Sequence, residues 1–341
     1  MQDWKQISEA ITGASVINVF THIHSDGDCV GSAFALAYFL SNFGKKINII
    51  CEEKPPENLA HIYEAELPEN INFYVYDENN AADTEIPCGD AAIAVDVSDS
   101  KRLGARQELF FKAPVTVRID HHISNDTFAN VTVCNSQWAA TAEGIWEYVK
   151  NYENWEKIPY ITEIAKSVYT GILTDTGSFA YSNVTPDTHS IAAETIRIAG
   201  SMAWIYSAIY ENQTKEEIAL KAMAYGKVEY FEEGKIAYLQ ITREEMEKTG
   251  ADDDALSGLA PFLRCIKGVS VGILVKPGKL KGQWRLSLRS DEHCDVNAVA
   301  NAFGGGGHIR ASGLTYLPES GMSFDEFKEK LIGEVKNGWC D

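Results

Sequence analysis

The first half of the chain alternates short apolar runs with stretches whose apolar residues recur at helical spacing. We predict strands where the apolar runs are nearly continuous, at 15–21, 47–51, 71–76, 91–97 and 115–120. We predict a helix over 30–43 and helical segments near 99–109, 139–151 and 160–173. Strands that are apolar throughout and alternate with helices are typical of a parallel sheet covered on both faces.

The pattern changes near residue 205. A charged stretch at 214–229 predicts a helix suited to a linker, and strand-like runs follow at 236–241, 269–275 and 284–288. Helices are predicted near 255–263, 295–303 and 323–335. The fold class is therefore α/β, with a mainly parallel sheet flanked by helices over 1–205, a helical linker over 206–234, and a smaller α/β domain with a mixed sheet over 235–341.

The charge of the chain restricts its partners. Its 341 residues include 30 Lys and Arg against 49 Asp and Glu, for a formal net charge of −19. Proteins that coat long nucleic acids or anionic membranes bind through basic surfaces, so the sequence argues against a long duplex and against a membrane. A small phosphorylated ligand held by a few Arg or His side chains remains compatible with this charge.

The cysteines and the N-terminal segment bear on location. The 7 cysteines are scattered without a CxxC pair, which indicates reduced thiols. The first ten residues lack the features of a signal peptide, and no apolar run is long enough to cross a membrane. We therefore expect a cytoplasmic location.

Acidic and imidazole side chains are concentrated where the predicted strands end. They come from four separate segments: His22, Asp26 and Asp28; Asp96; Asp120, His121 and His122; and Asp175. A single Asp after a strand is more often a turn or a helix cap. Four such segments at one edge of a parallel sheet, where ligands usually bind, favour a functional site.

Crowded carboxylates would repel one another and raise each other's pKa values, and divalent cations would relieve that repulsion. Mixed carboxylate and imidazole ligands suit Mn²⁺, with Mg²⁺, Fe or Zn²⁺ as alternatives. Two such ions could share one carboxylate and activate a hydroxide for attack on phosphorus. His24 is left out of the ligand set.

A second signal lies near the C-terminus. Four glycines at 304–307 stand before His308 and a predicted helix, an arrangement that lets backbone N–H groups approach an anion. Ser287 and Arg289 end a predicted strand nearby and alternate onto the same face, where Arg289 could hold a phosphate with two hydrogen bonds.

Taken together, these motifs resemble the DHH phosphoesterase family. The resemblance rests on His22, Asp26, Asp28, Gly31 and Ser32, then Asp96, the Asp120-His121-His122 triplet, and Asp175 with Gly177. The 303–313 segment with the preceding Ser287–Ser290 run resembles the DHH-associated C-terminal domain. Among its subgroups, the chain is most similar to the short two-domain oligoribonucleases that also act as pAp phosphatases, the nanoRNases.

The resemblance implies a role for each matching residue. One ion, usually Mn²⁺ in this family, would bind His22, Asp26 and Asp96, and a second would bind Asp28, Asp96, His121 and Asp175. His122 would face the phosphate, and Asp120 would orient a neighbouring imidazole. The residues implied in substrate binding are Arg102, Ser287, Arg289, Gly306, Gly307 and His308.

The implied activity is hydrolysis of RNA of two to five nucleotides to mononucleotides, and removal of the 3′-phosphate of pAp. Three alternatives stay open: a phosphodiesterase for cyclic or linear dinucleotides, a pyrophosphate or polyphosphate hydrolase, and a non-catalytic nucleotide sensor. The chain departs from the subgroup at His24, Ser25, Cys29 and 179–181, which affects substrate preference more than metal binding. Members of this family often dimerise, so a homodimer is a further expectation.

Overall fold

The computed structural model describes residues 4–76, 86–122, 126–256 and 258–339. Contacts divide the chain into two compact units, Met1–Asn212 and Gln213–Asp341. Within the described ranges, no helix is both long and apolar enough to cross a membrane.

The first unit is built on a parallel sheet of six strands in the order β3-β2-β1-β4-β5-β6. The strands are β1 (Val16–Phe20), β2 (Lys46–Cys51), β3 (Ile71–Val75), β4 (Ala91–Val95), β5 (Val115–Asp120) and β6 (Val131–Cys134). Every residue of β4 is buried, as expected for a strand covered on both faces. The five strands predicted in this unit are confirmed. β6 was not predicted, because a strand of only 4 residues does not stand out in the sequence pattern.

Eight helices of the described residues belong to this unit. They are α1 (Trp4–Ile11), α2 (Gly27–Ser41), α3 (Ala60–Tyr63), α4 (Gln107–Phe111), α5 (Thr141–Lys150), α6 (Ile161–Asp175), α7 (Pro186–Ala199) and α8 (Ala203–Tyr210). The predicted helix at 30–43 starts three residues earlier and ends two residues earlier than expected. The predicted segments at 139–151 and 160–173 are α5 and α6, whereas 99–109 is mainly a 3-10 helix, Ser100–Arg106, followed by α4.

Two glycines allow α2 and α6 to approach closely. A Cβ atom at Gly31 would lie 2.4 Å from the carbonyl oxygen of Ser167, and one at Gly171 would lie 2.8 Å from Oδ1 of Asp28. A side chain at either position would therefore push the two helices apart. This contact brings the start of α2, with Asp28, beside the end of α6, with Asp175.

The second unit contains a mixed sheet in the order β11-β12-β10-β9-β8-β7, in which only the β8–β9 pairing is parallel. Its strands are β7 (Glu229–Phe231), β8 (Ile236–Gln240), β9 (Val271–Pro277), β10 (Trp284–Ser290), β11 (Gly306–His308) and β12 (Ala311–Tyr316). Its helices are α9 (Lys215–Tyr225), α10 (Arg243–Thr249), α11 (Leu259–Cys265), α12 (Val296–Ala302) and α13 (Phe324–Asn337).

The predicted helix after the four glycines was wrong. The segment forms the β11–β12 hairpin instead, and the neighbouring helix, α12, precedes the glycines. Gly307 has φ +150, and a Cβ atom there would lie 2.6 Å from the carbonyl oxygen of Ala311. A strand of glycines carries no alternation of apolar and polar residues, so the sequence pattern could not reveal it.

The boundary between the units lies between Asn212 and Gln213. The predicted helix at 214–229 is the shorter α9, which packs within the second unit through Leu220 and Ala224. The predicted helix near 255–263 is a short 3-10 segment, Asp254–Leu256, and then α11, with residue 257 outside the described residues. The domain limits 1–205, 206–234 and 235–341 stay a prediction.

Candidate metal centre

Six side chains from four chain segments meet at the carboxyl edge of the parallel sheet. His22 follows β1, Asp26 and Asp28 lie at the start of α2, Asp96 follows β4, His121 follows β5, and Asp175 ends α6. These are the six residues predicted as metal ligands. The expectation that each lies at a strand end was wrong for Asp175, which reaches the cluster from the C-terminus of a helix.

One part of the cluster is centred on His22. Its Nε2 atom lies 3.4 Å from Oδ2 of Asp96 and 3.7 Å from Oδ2 of Asp26. Its Nδ1 atom lies 2.7 Å from the carbonyl oxygen of Ile23. Because a carbonyl only accepts, Nδ1 donates the proton, and in the neutral imidazole the lone pair of Nε2 faces the carboxylates. This is the usual arrangement of an imidazole that binds a metal.

The other part is centred on His121. Its Nε2 atom lies 3.4 Å from Oδ2 of Asp175, 3.6 Å from Oδ1 of Asp96 and 4.0 Å from Oδ2 of Asp28. Its Nδ1 atom lies 3.3 Å from the carbonyl oxygen of Trp138, so the same tautomer is favoured here. The two imidazoles therefore present the same ring nitrogen to two groups of carboxylates.

Asp96 connects the two parts. Its Oδ2 atom faces His22 and its Oδ1 atom faces His121, as a carboxylate shared by two cations would. The residue is buried and has φ +59, a left-handed conformation that a non-glycine residue rarely adopts. Such strain persists where the surrounding structure fixes the backbone, and it is common at functional sites.

The charges of the cluster fit divalent cations. Burial, together with the charges of Asp96 and Asp175, raises the pKa of Asp28 well above its usual range. Burial and the neighbouring carboxylates also raise the pKa of Asp175 to about 7, although His121 opposes this shift. Protein charges alone would thus leave protons on these carboxyl groups at neutral pH. Divalent cations would stabilise the ionised forms, and the donor set of carboxylate and imidazole suits them.

Cys29 belongs to this neighbourhood and was not predicted. Its Sγ atom accepts a hydrogen bond from the backbone N–H of His22 at 3.2 Å and lies within 4.8 Å of donor atoms of His22 and Asp96. Burial raises the pKa of the Cys29 thiol to about 12. The Cys29 thiol also donates to the carbonyl oxygen of Val95 at 3.4 Å, so Cys29 packs beside the cluster and supports the loop of His22.

His122 and Asp120 form a second feature at the edge of the cluster. The Nδ1 atom of His122 lies 2.8 Å from Oδ1 of Asp120, and Arg118 pairs with the other carboxylate oxygen. The hydrogen bond from His122 and the charge of Arg118 lower the pKa of Asp120 to about 2, although burial opposes this shift. Asp120 and Asp96 raise the pKa of His122, again against the effect of burial. Arg118, which precedes Asp120 by two residues on β5, was not singled out in the sequence.

Of two further residues near the cluster, His24 contacts a surface carboxylate, and Arg102 affects the charges of the cluster. His24 has φ +55, and its exposed ring lies 2.6 Å from Oε1 of Glu53, in keeping with its exclusion from the ligand set. The carbonyl oxygen of Arg102 accepts a hydrogen bond from the backbone N–H of Ile23. The charge of Arg102 adds to the effect of His22 in lowering the pKa of Asp26, and it opposes the rise in the pKa of His122. Arg102 is thus placed within electrostatic reach of the cluster.

In the second unit, strand register groups the residues implied in substrate binding. One row of paired residues across β10, β12 and β11 consists of Ser287, Gly313 and Gly306. A second row consists of Arg289, Ala311 and His308. Paired residues point to the same face of a sheet. Ser287, Arg289, Gly306 and His308 therefore share one face, separated by small residues, while Leu286 and Leu288 of β10 pack into the core. Gly307 alternates onto the opposite face.

Comparisons with known proteins match both units of the chain. The model of the DHH family, N-terminal domain, matches residues 16–172, and that of the DHHA1 domain matches residues 233–337. The chain is 27% identical to the bifunctional oligoribonuclease and PAP phosphatase NrnA of Thermus thermophilus, over 97% of this chain and 92% of that protein. It is 25% identical to the protein of the same name from Bacillus subtilis, over 97% of each chain.

The fold also matches a solved structure. An exopolyphosphatase-related protein from Bacteroides fragilis superposes with a TM-score of 0.85 at 23% sequence identity, covering 98% of this chain and 96% of that chain. At this level of identity the likeness concerns the fold alone.

Proposed function

Since the chain belongs to the DHH family, we propose that it is a metal-dependent phosphoesterase for short RNA and for pAp. It would hydrolyse RNA of two to five nucleotides to mononucleotides and would remove the 3′-phosphate of pAp. The named relatives are oligoribonucleases and PAP phosphatases and align over nearly the full chain. The observation that carries the proposal is the position of Asp96, whose two oxygens face the two metal-binding imidazoles.

In this proposal one ion would be held by His22, Asp26 and Asp96, and the other by Asp28, Asp96, His121 and Asp175. When bound, the two ions would supply an activated water and would neutralise charge on the phosphoryl group. Asp96 sets the spacing of the two sites because it is common to both. The protein thereby fixes the position at which the phosphorus is attacked.

His122 acts on the leaving oxygen. Asp120 and Asp96 raise its pKa by stabilising the charged ring, which favours the protonated form that a proton donor needs. Asp120 fixes the ring through Nδ1, and Arg118 fixes Asp120. The His122 ring would donate a proton to the sugar oxygen as it departs, or would stabilise the negative charge that develops there.

In the second unit, the proposal assigns nucleotide binding to one face of β10, β12 and β11. Arg289 and His308 offer donors to a phosphate, Ser287 offers a hydroxyl, and Gly306 leaves room on the same face for close approach. Gly307 would act by shaping the hairpin. Arg102 would add positive charge beside the metal centre. The net charge of −19 favours a small substrate over a long duplex, since a long polyanion would approach an acidic surface.

Among divalent ions we propose Mn²⁺, because carboxylates and imidazoles act together in the cluster. Mg²⁺ and other divalent ions are the alternatives that a metal titration would compare. A cytoplasmic location and a homodimer stay predictions that fractionation and light scattering would test.

The experiment that tests the proposal is a product time course. Purified protein with Mn²⁺ is offered a dinucleotide, a five-nucleotide RNA, a 24-nucleotide RNA, pAp, cyclic di-AMP and pyrophosphate in parallel. We expect rapid release of mononucleotides from the shortest RNA and of phosphate from pAp. Cleavage confined to cyclic di-AMP or to pyrophosphate would contradict the substrate assignment, and two bound metals without turnover of any substrate would favour a sensor.

Replacing Arg289 by Ala should weaken substrate binding without altering metal content. Loss of a charge-assisted contact to a phosphate corresponds to about 1.5–3 kcal/mol, or roughly a tenfold to hundredfold rise in KM for pAp. Arg285→Ala is the matched control. Arg285 lies on the same face of β10 as Arg289, but it pairs with Thr315 and so lies outside the row that contains Ala311 and His308. An unchanged KM in Arg289→Ala, or a rise of equal size in both variants, would contradict the placement of the phosphate at Arg289.

A further inference from the structure

The N-terminus of α5 contacts two of the predicted metal ligands through one residue. The backbone N–H of Thr141 donates to Oδ2 of Asp28 at 2.6 Å, and the Thr141 hydroxyl lies 2.8 Å from Oδ1 of Asp96. The next N–H, that of Ala142, donates to Oδ1 of Asp28 at 2.9 Å. These contacts join parts of the chain more than 100 residues apart for Asp28 and 45 residues apart for Asp96.

The direction of the hydroxyl bond follows from its partner. An ionised carboxylate can only accept, so the Thr141 hydroxyl donates to Asp96. Thr141 is fully buried and Asp96 is 2% exposed, so water competes little for this bond. A buried hydrogen bond to a charged acceptor is stronger than one between neutral groups in water.

The bond restricts the orientation of the shared carboxylate. Oδ1 of Asp96 is the oxygen that faces His121, while Oδ2 faces His22. The hydroxyl therefore holds the same oxygen that lies 3.6 Å from Nε2 of His121. Rotation of the carboxylate would break the hydroxyl bond and move both oxygens away from the imidazoles.

Local sequence explains why the hydroxyl is held there. Ala140 has φ −154 and ψ 150 at the N-cap of α5, and its side chain makes no capping hydrogen bond. The first N–H groups of the helix therefore require an acceptor from elsewhere. Asp28 of α2 supplies both oxygens, which fixes the first turn of α5 on the cluster and places the Thr141 hydroxyl against Asp96.

We propose that Thr141 is a positioning residue that sets the orientation of Asp96 for sharing between two metal ions. This inference rests on the proposed two-metal function and adds a residue to it. Thr141 acts through Asp96 and need not contact substrate. Its contribution is therefore expected in metal affinity and in kcat, and not in KM for the nucleotide.

The test is Thr141→Val, which keeps the shape and the backbone N–H but removes the hydroxyl. Calorimetric titration of the metal-free protein with Mn²⁺ should show the weaker of the two sites weakened by about tenfold to a hundredfold, the usual effect of losing a group that orients a ligand. At stoichiometric Mn²⁺, the electron paramagnetic resonance signal of coupled ions should be lost. Substrate KM should remain unchanged at saturating Mn²⁺.

Two controls separate this role from general destabilisation. Thr141→Ser restores the hydroxyl and should return the Mn²⁺ affinity and the coupled signal to those of the unmodified protein. Thr195→Val removes a buried hydroxyl that bonds to the carbonyl oxygen of Ala192 on α7, and should change neither quantity. If Thr141→Val fails to fold, Thr141→Ala compared with Thr141→Ser provides the same test, with the same expected loss.

One result would overturn this inference alone, and a different result would overturn the proposed function. Unaltered Mn²⁺ affinities and an unaltered coupled signal in the variant that lacks the hydroxyl would overturn the positioning role of Thr141 and leave the two-metal function standing. Failure of the unmodified protein to bind two Mn²⁺ ions would instead overturn the proposed function itself.

Discussion

Replacing Asp96 by Ala should abolish hydrolysis of short RNA and pAp. The variant loses the carboxylate that both cations would share, and with it several kcal/mol of transition-state stabilisation. We expect kcat to fall by at least about a thousandfold, since each 1.36 kcal/mol corresponds to a factor of ten. Metal content after dialysis against Mn²⁺ should fall below two ions per chain. The measurements are turnover at saturating Mn²⁺ and elemental analysis of the same samples.

Stability distinguishes this loss from misfolding. Asp96 raises the pKa of Asp28 by repulsion, so its removal relieves a strained cluster. The same change removes the acceptor of the buried Thr141 hydroxyl, so in chelator Asp96→Ala should melt below the unmodified protein but still in a cooperative transition. Asp187→Ala, which alters an exposed carboxylate in the first turn of α7, is the control and should retain activity. Near-normal turnover by Asp96→Ala at saturating Mn²⁺ would contradict the shared-carboxylate assignment.

Replacing His122 by Gln should lower kcat by about a hundredfold to ten-thousandfold, the range for loss of a positioned proton donor. Metal content should not change, because all six proposed metal ligands are retained in this variant. With a nitrophenyl ester of a nucleotide, the leaving oxygen needs no proton, and the defect should shrink. The measurement is the ratio of kcat values for the variant and the unmodified protein on the two kinds of substrate.

The control for this variant is His293→Gln, which alters an exposed imidazole of the second unit paired with Asp291. It should leave kcat on both substrates unchanged. A defect of equal size on RNA and on the nitrophenyl ester would exclude proton donation as the role of His122. Loss of metal from the His122 variant would instead make it a ligand.

The parallel sheet, and the grouping of most residues of the candidate metal centre, could be predicted from the sequence. Strands such as β4 are buried on both faces and so appear as continuous apolar runs. Residues that follow such strands meet at one edge, which is why His22, Asp96 and His121 could be grouped without coordinates. Asp26, Asp28 and Asp175 were grouped with them from the same sequence pattern, and the family resemblance then implied which residues would bind each ion.

The features that escaped prediction depend on contacts between distant segments. Asp175 comes from the end of a helix whose approach is set by glycine contacts between α2 and α6. Thr141 stands after two alanines and carries no motif, and its role depends on Asp28 and Asp96 from other elements. The β11–β12 hairpin is formed largely of glycine and small residues, which offer no periodic pattern.

The measurement that tests the central claim most directly is a titration of metal-free protein with Mn²⁺, followed at each step by hydrolysis of a dinucleotide. The shared position of Asp96 predicts little activity after one equivalent and full activity only when the second ion binds. Asp96→Ala should show no such rise. Full activity at one equivalent of Mn²⁺, or activity in the presence of excess chelator, would contradict the two-metal account.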